Sequence, residues 1–112
     1  MTRRADLCAA LARMEAARRS TRHHLAVIER QIANRAERMT NTARAKRCHR
    51  RRSAGAWTGA DERAYQGYVA DLILARLPEI DALTRKLARQ DDALAALRSR
   101  YGVGANSAIV ER

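Results

Sequence analysis

The sequence predicts an all-α protein: an antiparallel two-helix hairpin, coiled-coil-like, that dimerises into a four-helix bundle. Three observations carry this. Ala, Leu, Arg, Glu and Gln dominate the chain, and all are strong helix formers. Gly is confined to residues 55–67 and 102–104, and the single Pro stands at position 78, so two long stretches are free of breakers. Within both stretches apolar residues recur at alternating three- and four-residue steps, as they do in helices that pack side by side.

The first helix is expected over about residues 3–52. Its apolar positions are Leu7, Leu11, Met14, Leu25, Ile28, Ile32 and Met39, with Arg18, Thr21 and Arg35 at the remaining steps. A turn is expected over about 53–58, in the stretch AGAWTGADERAYQGY that holds the only Trp and three of the five Gly. Ser53, Gly55 and Gly59 supply the backbone freedom that a chain reversal needs. Trp57 covers the open end of a seam built mainly from small residues. Thr58, with Asp61 three residues on, reads as an N-cap and acidic first turn for the second helix.

That second helix is expected over about 59–101. Its seam positions are Val69, Ile73, Ile80, Leu83, Leu87, Leu94, Leu97 and Tyr101, with Arg76 and Gln90 in the gaps. Gly67 allows a close approach of the partner backbone, and Pro78 bends the helix or breaks it after Leu77 because it lacks an N–H. Gly102 reads as a C-cap and residues 102–112 as a flexible tail. Folding the chain so that facing positions sum to about 112 pairs Ile32 with Ile80, Ile28 with Leu83, Leu25 with Leu87, Met14 with Leu97 and Leu11 with Tyr101. Thr21 then meets Gln90, a polar layer able to fix register. Arg18 meets Leu94 and Arg35 meets Arg76, where long Arg stems lie along apolar surface and reach water. The expected seam and partner interface is therefore Leu25, Ile28, Ile32, Ile80, Leu83 and Leu87.

Charge is unevenly distributed. Residues 1–56 carry 15 Lys and Arg against 4 Asp and Glu, and residues 57–112 carry 8 against 8, so the net charge of +11 sits in the first half. The densest run is AKRCHRRRS at 45–53, where Lys46, Arg47, Arg50, Arg51 and Arg52 form a basic patch that Arg38 and Arg44 extend. An acidic protein surface or nucleic acid is the partner class that residues 44–52 suit. Without interleaved aromatics in that run, nucleic-acid contact is expected to be indifferent to sequence. The competing reading is a solvated, charged tip.

Cys8 and Cys48 make no disulfide framework. On one helix they stand roughly 60 Å apart at about 1.5 Å per residue, so a reducing compartment is expected. No apolar run reaches the ~18 residues that span a bilayer. The basic N-terminus is not read as a signal peptide, because its apolar stretch contains Asp6 and is cut by Arg13. The expected location is cytoplasmic, with secretion by a signal-peptide-independent route as the alternative.

Trp57-Thr58-Gly59 at the midpoint of a helical hairpin, followed by Ala64-Tyr65-Gln66-Gly67, resembles the WXG family of small type VII secretion substrates. The resemblance implies a non-enzymatic four-helix homo- or heterodimer exported in folded form, with Trp57 and Gly59 as its turn motif. The architecture alone is also similar to the coiled-coil stalk proteins of type III secretion and flagellar export ATPases, which suits a basic adaptor.

No enzyme is expected. His23 and His24 are adjacent and point to different helix faces, and Cys48-His49 has no further ligands at metal-site spacing. Neither Cys has a recognisable base. Asp91-Asp92 and Glu79/Asp81 read as solvated helix charges. No phosphate-cradling glycine loop occurs. Catalytic, metal and cofactor sites are accordingly all expected to be none. The function expected is that of a helical-hairpin interaction protein that pairs with a second hairpin, either a homodimer or a paired partner. The alternatives are the basic adaptor and a small sequence-nonspecific nucleic-acid-binding protein.

Overall fold

With neither Gly nor Pro before residue 55, nothing in the first half interrupts a helix once it has nucleated. In the structure, a computed structural model, α1 accordingly runs Thr2–Arg50, followed by α2 (Gly59–Ala75) and α3 (Leu77–Tyr101). The protein is all-α, with no strand among the described residues. Backbone is described for residues 2–50 and 55–102, and side chains for 3–47 and 55–102. The expected helical residues 51–52, the turn residue Ser53, the side chains of Arg50, Arg51 and Arg52, and the tail from 103 onward lie outside these.

The helices group into two units: Ala26–Ile80, and the residues up to Leu25 with those from Asp81. In the unit Ala26–Ile80, α1 and α2 pack antiparallel as a helical hairpin. Arg44 and Arg47 meet Asp61, whereas Gln31, earlier on α1, meets Arg76, later in the chain. The facing numbers sum to between 105 and 108 rather than 112, so the expected pairing of Arg35 with Arg76 does not occur. Arg76 donates to Gln31 Oε1 at 2.8 Å instead.

The buried stripe of α1 in this unit also departs from the heptad expectation. Ile28, Ile32, Ala36 and Thr40 are buried, advancing by four, while Arg35 is exposed and Met39 half-buried. Burying a charge at 35 is costly. Ala36 fits a close helix contact, and Thr40 is buried cheaply because its hydroxyl donates to the Ala36 carbonyl at 2.8 Å. On α2 Asp61 is buried and Ala64, Tyr65, Tyr68, Val69 and Leu72 are half-buried, so the expected Val69 keeps its place while the expected Ile73 is exposed. Asp61, anchored to two α1 arginines, takes the first inward position.

Pro78 breaks the helix as its chemistry requires, after Ala75 rather than after Leu77. Its missing N–H and its ring disrupt the bond to the carbonyl four residues back, at Leu74. The chain leaves helical geometry at Arg76 (φ −111°, ψ 15°), whose N–H is shared between the carbonyls of Leu72 (3.2 Å) and Ile73 (3.1 Å). α3 restarts with Pro78 in its first turn, where an N–H is not needed.

In the other unit, Arg18 pairs with Asp91 and Arg98 with Glu15, which sets the two segments antiparallel. These numbers sum to 109 and 113, bracketing the expected register. Leu11, Thr21 and Leu94 are buried, with Met14, Leu25, Leu83, Leu87 and Leu97 half-buried. One expectation fails here: Tyr101 is exposed rather than packed on Leu11. Of the expected polar layer, Thr21 is buried and Gln90 half-buried; the Thr21 hydroxyl donates to the Ala17 carbonyl at 3.2 Å, and Gln90 Oε1 is buried without a partner among the described residues. Gly102 caps α3 in the left-handed conformation (φ 67°), as expected.

Candidate functional site

The richest cluster of side chains lies where α2 begins. Thr58 is extended (φ −104°, ψ 173°), and its hydroxyl accepts from the Asp61 N–H at 3.1 Å. Asp61 Oδ2 in turn accepts from the Thr58 N–H at 2.8 Å, completing a capping box. The same carboxylate takes Arg44 Nε on Oδ2 at 3.1 Å and Arg47 on Oδ1. Arg44 also donates to the Gly55 carbonyl at 2.8 Å. Asp61 is only 2% exposed, yet every one of these contacts favours its charged form. The backbone hydrogen bond from Thr58, reinforced by Arg47 and the Thr58 hydroxyl, lowers its pKa from 3.8 to about 2 against the opposing effect of burial.

Trp57 packs beside this cluster. Its Nε1 donates to Glu62 Oε1 at 3.0 Å, and its ring meets Tyr65 edge-on at 6.2 Å. The Arg44 guanidinium stands 5.5 Å from the ring centroid. Glu62, which also accepts from Gln66 at 2.7 Å, is held below the usual carboxylate range by the Gln66 and then the Trp57 hydrogen bond. Trp57 remains 39% exposed.

Neither glycine of the turn behaves as expected. Gly59 is the first residue of α2, and of the described glycines only Gly102 has positive φ. A Cβ on Gly59 would meet nothing closer than Arg63 Nη1 at 3.5 Å. Around Gly67 there is open space where a close backbone approach was expected.

Of the expected seam residues, Ile28 and Ile32 are buried, and Leu25, Ile80, Leu83 and Leu87 are half-buried. The basic patch is divided. Arg47 is consumed by Asp61, while Lys46 is exposed and pairs with no described carboxylate. The sequence reading missed two features. One is the role of Asp61 as the anchor of α1, which the nearby excess of arginines hints at. The other is an apolar strip around the α2–α3 break, where Ile73 and Leu77 are each 39% exposed and Leu74 is 66% exposed.

The remaining candidates are ordinary surface groups. Cys8, His23 and His24 are exposed. Asp91 pairs with Arg18, and Glu79 with Arg76 at 3.0 Å. Among the described residues no group of three His, Cys, Asp or Glu is placed to hold a metal, and no helix is long and apolar enough to cross a membrane. No family model, curated protein or solved structure matches the chain.

Proposed function

We propose that the protein is a non-enzymatic helix-pairing protein, whose apolar seam is completed by a second copy of the hairpin. The observation that carries this reading is the incomplete cover of that seam. Among the described residues only Leu11, Ile28, Ile32, Ala36 and Leu94 are buried apolar side chains, while Ile73, Leu74 and Leu77 form an exposed strip. Two helices cover each other on one side only. A second pair supplies the other side and adds roughly 1.5–3 kcal/mol for each large apolar side chain it buries. Sedimentation velocity on a Leu74→Glu/Leu77→Glu variant tests this. The variant should remain helical and become monomeric, and an unchanged association state contradicts the reading.

The likeness of Trp57-Thr58-Gly59 to the WXG turn supports the same role, and with it we propose export by a route without a cleavable signal. The Trp57 ring is exposed, and Gly59 is not demanded by backbone angle or crowding within the chain. On this reading, space at position 59 serves the partner. Gly59→Ala should therefore keep the helix content and weaken pairing. Pairing that survives both Gly59→Ala and Trp57→Ala removes the support for the family likeness.

A further inference from the structure

In the unit Ala26–Ile80, α1 presents a second basic face beside the one that grips Asp61. A groove of about 530 Å³ runs along it, lined by Arg35, Arg38, Thr42 and Lys46 of α1 and by Tyr68 of α2, with Met39 on its floor. The three cations are exposed, and none pairs with a carboxylate among the described residues. Among the described residues no Asp or Glu lines the groove. The contrast lies within the same stretch of helix: Arg44 and Arg47 share the Asp61 carboxylate, while Arg35, Arg38 and Lys46 pair with no described carboxylate and are left to an external anion.

We propose that this groove binds the sugar-phosphate backbone of a single nucleic-acid strand, with phosphates on Arg35, Arg38 and Lys46 and a base against Tyr68. Spacing supports it. The lining residues 35, 38, 42 and 46 step by three and four, so they form one row. At about 1.5 Å per residue the row is roughly 16 Å long. The Thr42 hydroxyl stands within the row and, while donating to the Arg38 carbonyl at 2.9 Å, keeps acceptor capacity for a ribose 2′-hydroxyl only. A duplex keeps its bases stacked inside, so only a single strand can offer a base to Tyr68, and one strand is the occupant. Tyr68 distinguishes the site from a plain electrostatic surface for an acidic protein. A half-buried ring lining the same groove as a row of cations is the pairing of backbone charge and stacking platform that single strands use. With no groups placed to read base edges, binding is indifferent to sequence. The proposal stands independently of helix pairing.

The test is fluorescence anisotropy of the full chain with a labelled random-sequence single-stranded DNA of about twenty nucleotides, across a salt series. Each phosphate contact contributes about 0.7 to the slope of log affinity against log salt for single strands. Arg35→Gln/Arg38→Gln/Lys46→Gln should therefore flatten the slope by about 2. A fourfold rise in salt then costs the wild type roughly twentyfold more affinity than it costs this variant. Arg13→Gln/Arg19→Gln/Arg22→Gln removes the same charge from exposed α1 positions outside the groove and should change affinity less than twofold. Tyr68→Leu should weaken binding about fivefold, the lower end for loss of one stacked base, with the salt slope unchanged. Should Tyr68→Leu fail to fold by circular dichroism, the two triple variants at exposed positions decide alone. Equal losses from the two triple variants overturn the groove assignment. Displacement of the DNA by polyglutamate at matched charge assigns the groove to an acidic protein and overturns the nucleic-acid reading, as does failure to bind at low salt.

Discussion

Replacing Gln90 by Leu removes an amide oxygen that is buried in the seam and accepts no hydrogen bond from the described residues. An unsatisfied buried polar group costs about 1–3 kcal/mol, and because Gln90 is half-buried the lower half of that range applies. Helix propensity barely changes, since Leu and Gln rank together. The new side chain lies between Leu87 and Leu94 on the same face, so it also extends the apolar row. The expected gain is ~1.5 kcal/mol. It should appear in urea denaturation as a higher midpoint with an unchanged slope, and as a rise of about 4–8 °C in Tm per kcal/mol. Gln90→Ala should gain less, because it leaves the position unfilled. A loss of stability with Gln90→Leu refutes the reasoning, since it would show that the amide is paired, as a register-fixing layer with Thr21 requires.

Ile28→Ala should cost about 2–4 kcal/mol by urea denaturation, because Ile28 is 1% exposed, whereas Ile73→Ala should cost under about 1 kcal/mol at dilutions where the chain is monomeric. Asp61 has a folded-state pKa lowered to about 2, so its contribution is fully present above its ordinary 3.8 and is lost as pH falls through 2. Asp61→Asn should therefore be less stable than wild type at neutral pH and show a flatter decline between those two values, as followed by ellipticity. Trp57→Ala removes a cation–π contact and an edge-on aromatic pair, which together contribute about 1–2 kcal/mol. That loss is readable as a lower urea midpoint.

The helices and their antiparallel pairing were legible because they rest on local signals: no breaker before residue 55, a capped Thr58, and apolar residues at helical steps. The details of packing were less so, and the reason is physical. Heptad counting locates a stripe to within a residue, and charge contacts between helices choose among the neighbours. On α2 Asp61 is held by Arg44 and Arg47, and Leu72 is half-buried while its neighbour Ile73 is exposed. Arg35 yields its step to Ala36 because a guanidinium is costly to bury. Likewise, Tyr68 lies 22 residues from Lys46 in the chain, so no reading of the 45–53 run alone reveals an aromatic beside it. Pro78 was legible as a break, and its effect fell two residues early, after Ala75 rather than Leu77, because the proline acts on the carbonyl of residue 74.

Sedimentation equilibrium of the unmodified chain across the micromolar range tests the half-covered seam most directly. A concentration-dependent dimer, with stability that rises with concentration, is the predicted result. A well-folded monomer throughout that range, as stable at the lowest concentration as at the highest, would contradict it.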